Sequence, residues 1–252
     1  MHSINPLAKL LAAVVIGVVL IISLDPVTAI VALVIELALL PFVGLSFTRL
    51  RKLLTPLLIA APFAGLAVLL YGRDGGAVWA EIGPWVITSD EVALAATLTI
   101  RVIALALPSV VLFATTDPTD LADSLAQLWR LPARFVLSAL AALRMLGMMR
   151  QDWHMLTLAR RTRGIGDGGG PWGALQRMGS RAFWLLVISI RRGSTLAVAM
   201  EARGFDAPAK RTWARKAVFR TRDTLFVAGA VVIAAFSVWV SVMWGAWNVV
   251  VS

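Results

Sequence analysis

Two basic-glycine pairs carry the clearest chemistry in this 252-residue chain: Arg163-Gly164 and Arg203-Gly204, 40 positions apart. Each reads as the end of a long helix. Glycine just past the last turn, with a basic residue beside it, is an ordinary helix ending worth about 0.3–1 kcal/mol through the helix dipole. One copy would mean no more than that. Two matched copies each offer a guanidinium at a helix tip, a rigid five-donor fork suited to carboxylates and backbone carbonyls on a partner. Arg160 and Arg161 compete for the first position, and spacing to the glycine favours Arg163. Glu36 and Arg101 lie inside apolar runs, where ionisable groups are costly and usually paired. They are expected to sit at similar depth and pair, with a proton or ion path as the alternative. The glycine-rich run from Gly164 to Gly170 follows a helix and lacks the Gly-Lys-Ser/Thr ending of a phosphate loop. His154 has no matching ligands, there is no cysteine, and Asp152 and Asp167 do not have a catalytic spacing. The sequence therefore gives no catalytic set, no metal site and no cofactor site.

The elements that must position these residues are mostly membrane helices. The chain is 59% hydrophobic with a mean hydropathy of +0.83. The apolar residues gather in runs near the roughly 20 needed to cross a bilayer core. The first runs from about Leu7 to Leu24, where Asp25-Pro26 breaks it, and no cleavable leader is evident there. Further runs extend from about Val27 to Val43, Leu53 to Tyr71, Glu91 to Thr115 and Thr224 to Trp247. Trp239, Trp244 and Trp247 stand near the end of the last as interfacial anchors. Between the fourth and fifth runs, Thr116 to Arg222 holds 18 of the 24 Lys and Arg residues behind the net charge of +10. Positive loops stay in the cytoplasm. This block and the Arg49, Arg51, Lys52 cluster are therefore expected inside, and the loop from Gly72 to Asp90 outside. Five spans satisfy that, with the N-terminus in and the C-terminus out.

The basic block is too apolar to be a disordered tail, and the interleaving of its charges with apolar residues disfavours nucleic acid as its partner. Its punctuation predicts three helices. Asp117-Pro118 opens the first, Pro132 the second and Pro171 the third. Gly164 ends the second and Gly204, with Pro208 beyond it, ends the third. The latter two span about 30 residues each, or roughly 45 Å, and read as basic amphipathic helices along a membrane surface, with 182–190 apolar enough to dip into lipid. The expectation is an all-α polytopic membrane protein of about five transmembrane helices plus three cytoplasmic or interfacial helices. Residues 1–115 form the membrane region, 116–222 the basic helices and 223–252 the last span.

At the two helix endings the chain resembles the transmembrane coupling component of energy-coupling factor (ECF) transporters, the EcfT, CbiQ and BioN family. That family has two short Ala-Arg-Gly-like signatures at the ends of long cytoplasmic coupling helices. Here they correspond to Thr162-Arg163-Gly164 and Ala202-Arg203-Gly204, the second within Ala199-Met200-Glu201-Ala202-Arg203-Gly204-Phe205. The segment Thr115-Thr116-Asp117-Pro118-Thr119-Asp120-Leu121 resembles the family's entry into those helices. The likeness is strongest from about Arg101 to Pro208. It implies a non-catalytic subunit of an ATP-driven importer in a bacterial or archaeal plasma membrane. Arg163, Gly164, Ala202, Arg203 and Gly204 would dock on two ABC ATPase subunits, and the long helices would lie under a separate substrate-specific S component. The implied cargo is a vitamin or a transition-metal ion, chosen by that other polypeptide. The competing reading is the permease of a conventional ABC importer, which carries a single Glu-Ala-Ala…Gly element. Glu201-Ala202-Arg203-Gly204 does not match that pattern.

Overall fold

A computed structural model describes residues 4–23, 25–44, 46–71, 77–82, 85–164, 170–205, 212–245 and 247. Leu24, the loop residues 72–76, Gly83 and Pro84, the glycine run at 165–169 with Asp167, and Pro208 lie outside them. The helices are α1 (Pro6–Ile22), α2 (Pro26–Leu39), α3 (Phe47–Tyr71), α4 (Ser89–Thr115), α5 (Pro118–Gln127), α6 (Ala133–Thr162), α7 (Gly170–Ala202) and α8 (Thr221–Met243). A short 3-10 turn, Leu40–Val43, continues α2. One element departs from the all-helical expectation. Strands β1 (Val78–Ile82) and β2 (Trp85–Thr88) form an antiparallel hairpin inside the segment read as a plain loop, with a register irregularity between Val78 and Ala80.

Two compact units divide the chain: residues 1–124 with 217–252, and residues 125–216. The first is a bundle of α1, α2, α3, α4 and α8. Its helix directions follow from polar ties at the two ends. At one end, the Asn5 backbone N–H donates to Asp223 Oδ1 (2.7 Å), joining the starts of α1 and α8. At the same end, Lys9 Nζ donates to the Thr115 carbonyl (2.9 Å) and to Thr115 Oγ1 (3.1 Å). The start of α1 thus meets the end of α4. At the other end, Ser241 near the close of α8 donates to Asp25 at the start of α2 (2.6 Å). Hence α1 and α8 run one way and α2 and α4 the other. Because α1 begins beside both the end of α4 and the start of α8, α4 finishes and α8 starts at the same end of this unit.

The core is built of small residues. Ala12, Ala29, Ala32, Ala104 and Ala230 pack with Ile16 and Leu20, so helix backbones approach closely, as lipid-embedded helices do where packing replaces a hydrophobic drive. Gly65 shows the same economy between α3 and α4: a Cβ there would stand 2.7 Å from the Ala95 carbonyl oxygen. Gly65→Ala is therefore expected to force the two helices apart, at about 1–3 kcal/mol. Thermal unfolding in detergent followed by size exclusion should show a midpoint lower by about 3–10 °C. An unchanged midpoint would mean that the close approach does not matter.

Among the described residues, five helices are long and apolar enough to cross a membrane: α2 with its 3-10 turn, α3 from Thr48, α4, α7 and α8. The number matches the expectation, but the membership does not. The 17-residue α1 is shorter than these, yet it sits at the lower limit for a span. It packs within the bundle and buries Leu7, Ala8, Lys9, Ala12, Ile16 and Leu20. The 33-residue α7 qualifies because Phe183–Ile190 is followed by further apolar residues beyond Arg191 and Arg192. Within the second unit, α6 buries no residue and α7 only Leu185. Phe135, Leu143, Leu146, Met155, Trp172, Phe183, Trp184 and Ile190 are exposed on them. On α6 the apolar side chains spread around the axis, so the single amphipathic face expected from the sequence is not present there.

Candidate functional site

The second unit places the two arginine tips by crossing α6 and α7. Asp152 of α6 forms an ion pair with Arg192 of α7, with Arg192 Nη2 also donating to Asp152 Oδ1 at 3.3 Å. Arg181 Nη1 donates to Thr157 Oγ1 (3.1 Å), and its guanidinium lies over the Trp153 ring at 4.9 Å. Arg160 Nη2 donates to Ser180 Oγ (2.9 Å). Later residues of α6 therefore meet earlier residues of α7, and the helices run in opposite senses. Their C-terminal tips point away from the crossing in opposite directions.

Both tips close with the same backbone device. Gly164 and Gly204 adopt left-handed φ values of 76° and 73°. At α7 the Gly204 N–H donates to the Glu201 carbonyl (2.9 Å) and the Phe205 N–H to the Met200 carbonyl (3.0 Å). That is a full Schellman closure, satisfying carbonyls that would otherwise be orphaned at a helix end. At α6 the Gly164 N–H donates to the Arg161 carbonyl (3.1 Å) in the matching position. The carbonyls are thus met by the backbone itself, which leaves the neighbouring side chains unneeded as caps. Arg163 and Arg203 are exposed. Among the described residues neither guanidinium has a hydrogen bond or ion pair. The competing arginines differ: Arg160 is held by Ser180, and Arg161 has a partner of its own. Of these three arginines, Arg163, the one nearest the glycine, is the one without a contact among the described residues. Ala202 is the last residue of α7 and is exposed, as are both glycines.

The Glu36–Arg101 pair expected from the sequence is not formed. Arg101 is buried, and its Nη2 donates to the Asp25 carbonyl oxygen (3.3 Å). Glu36 is 6% exposed, and neither carboxylate oxygen has a hydrogen-bond partner. The reason is an offset in helix starts. Arg101, 12 positions into α4, lies level with the first residues of α2. Glu36 is 11 positions further along from Asp25, or about 16 Å.

Two buried groups were not singled out from the sequence. Asp25, read only as a break, caps α2: its Oδ2 accepts from the Thr28 N–H (2.7 Å) and from Thr28 Oγ1 (2.7 Å). It also accepts from Ser23 and Ser241. The Asp-Pro-x-Thr pattern was the available signal for that cap. Lys9 is 6% exposed and ties α1 to α4. Its signal was a single lysine inside the first apolar run. No group of three or more His, Asp or Glu side chains capable of holding a metal ion occurs among the described residues. His154 is exposed beside Arg150, Gln151 and Met155.

The bundle and its crossed, arginine-tipped helices define a multi-pass helical membrane protein. The family description "cobalt transport protein", CbiQ, matches residues 1–213. Among curated relatives, the energy-coupling factor transporter transmembrane protein EcfT of Limosilactobacillus fermentum is 29% identical over 244 residues, covering 92% of this chain and 90% of its own. EcfT of Streptococcus equi subsp. equi is 26% identical over 245 residues, covering 93% and 90%. EcfT of Bacillus subtilis is 27% identical over 197 residues, covering 75% and 74%. The chain belongs to the CbiQ family, the transmembrane components of energy-coupling factor transporters.

Proposed function

We propose that this chain couples ATP hydrolysis by a pair of ABC ATPases to a separate substrate-binding membrane subunit, the S component, for uptake of a vitamin or a transition-metal ion. The chain itself is not an enzyme in this reading; the motor chemistry belongs to the ATPases. The observation that carries it is the pair of exposed arginines, Arg163 and Arg203, without partners at matched glycine-closed helix ends. Arg163 and Arg203 grip the two motors through charge-assisted hydrogen bonds, with Gly164, Ala202 and Gly204 shaping the tips. The exposed apolar residues of α6 and α7 face the S component and the membrane, as extended exposed apolar surface does when a partner covers it. The membrane is a bacterial or archaeal plasma membrane. The N-terminus and the two tips are cytoplasmic, consistent with α4 and α8 opening onto one end of the bundle and with the basic content of the segment between them. A conventional permease is disfavoured by the duplication of the tip.

Purification from native membranes through a tag on this chain tests the reading. Two ABC ATPases and a small hydrophobic S component should accompany it. ATPases with a second large permease, and no S component, would select the conventional importer instead.

A further inference from the structure

Glu36 poses a problem that the coupling reading does not use. Its carboxylate is buried with no hydrogen-bond partner, and such a group in a low dielectric needs a proton or a cation. It forms part of the wall of an open-sided cavity of about 620 Å³ lined by α1, α2 with its 3-10 turn, α4 and α8, a volume within the ordinary range for small-ligand sites. Among the described lining residues the one other polar group is Lys9, and the rest are apolar, among them Leu39, Val111, Phe226 and Ile233. Lys9 does not neutralise Glu36. Two of its three N–H donors are committed to Thr115, and one is left. The cavity lies at the end of the bundle where α1 and α8 begin and α2 and α4 finish. For helices that cross a bilayer, that end meets the headgroups, and Glu36 lies about 10 Å inside it.

The geometry points to a binding site for an amphiphile with a primary ammonium and a phosphate, the chemistry of an ethanolamine-headed phospholipid. The ammonium N–H groups donate to the Glu36 carboxylate. A phosphate oxygen accepts the free N–H of Lys9. The first part of an acyl chain lies against the apolar wall. A choline head carries a cation without N–H donors, and a glycerol head can donate hydroxyl hydrogen bonds but carries no cation, so neither supplies Glu36 with both a positive charge and a donor. The site uses none of the residues of the arginine tips and does not depend on the proposed coupling role.

The test uses the full chain, delipidated in detergent and then exposed to equal amounts of dioleoyl phosphatidylethanolamine, phosphatidylcholine and phosphatidylglycerol. Retained lipid is counted by native mass spectrometry. The wild-type chain should retain phosphatidylethanolamine about tenfold over the other two, the size of a hydrogen bond to a charged group. Glu36→Gln should reduce that retention to the phosphatidylcholine level. Gly229→Leu provides a second arm: Gly229 lines the cavity, and a Cβ there meets nothing within 4 Å. The leucine should fill the space and displace the lipid even if Glu36→Gln fails to fold. Equal retention of all three lipids by the wild type overturns the proposal. So does wild-type retention in Glu36→Gln, which would mean that the carboxyl carries its own proton, or undiminished retention in Gly229→Leu.

Discussion

Arg163→Glu and Arg203→Glu in one chain are expected to abolish uptake and ATPase co-purification while membrane insertion and the detergent elution profile stay as in the wild type. Both side chains are exposed and bonded to nothing else in the described chain, so their loss removes no internal contact and leaves the glycine-closed helix ends in place. Each grips a partner only if that partner offers an acceptor. Truncating one member of a desolvated, hydrogen-bonded charge pair at an interface costs about 2–5 kcal/mol, and reversal adds repulsion. Two such losses lower affinity by about three orders of magnitude or more. Single reversals should be intermediate, because one tip still holds. Reversing Arg160 instead breaks its bond to Ser180 and should disturb the α6–α7 crossing rather than the docking. ATPase association that survives the double reversal removes these tips from the interface.

Asp25→Ala should be the most destabilising single change in the bundle outside the apolar core. Asp25 is 1% exposed and accepts from Ser23, Thr28 and Ser241, all themselves buried. Alanine removes the N-cap of α2, worth about 0.5–2 kcal/mol. It also leaves buried hydroxyls without acceptors at about 1–3 kcal/mol each where no water reaches them. Because the hydroxyls overlap in their effect, a total of about 3–5 kcal/mol is the reasonable sum, or a fall in thermal midpoint of about 10 °C or more. Asp25→Asn keeps one acceptor oxygen and should lose less. Heating in detergent with size-exclusion readout decides the matter. A midpoint within about 2 °C of wild type for Asp25→Ala would deny the cluster its structural weight.

The parts of the fold written in local signals were legible. Pro118, Pro132 and Pro171 mark helix starts, and Gly164 and Gly204 mark helix ends, within a residue or two of where the structure has them. These are backbone restrictions and need no neighbours to act. The β1–β2 hairpin was missed although Val78 to Thr88 is rich in β-branched and aromatic residues, because its Gly and acidic content read as a loop. The Glu36–Arg101 pairing failed for a different reason. Sequence gives distance along each helix but not the offset between two helices, and α4 starts about three turns ahead of α2. Lys9 and Asp25 gain their meaning from Thr115 and Ser241, over 100 and 200 positions away. No local pattern contains those partners. Among the tip arginines, spacing pointed to Arg163; that Arg160 and Arg161 are held by contacts was not readable from the sequence.

The polar contacts between α6 and α7 stop at different distances from the two tips. Arg163 lies three residues beyond Arg160, about 5 Å of helix, whereas Arg203 lies 11 residues beyond Arg192, about 16 Å. Under the same load a short cantilever deflects less than a long one. If both rods are loaded at their ends, the free end of α7 travels farther than that of α6.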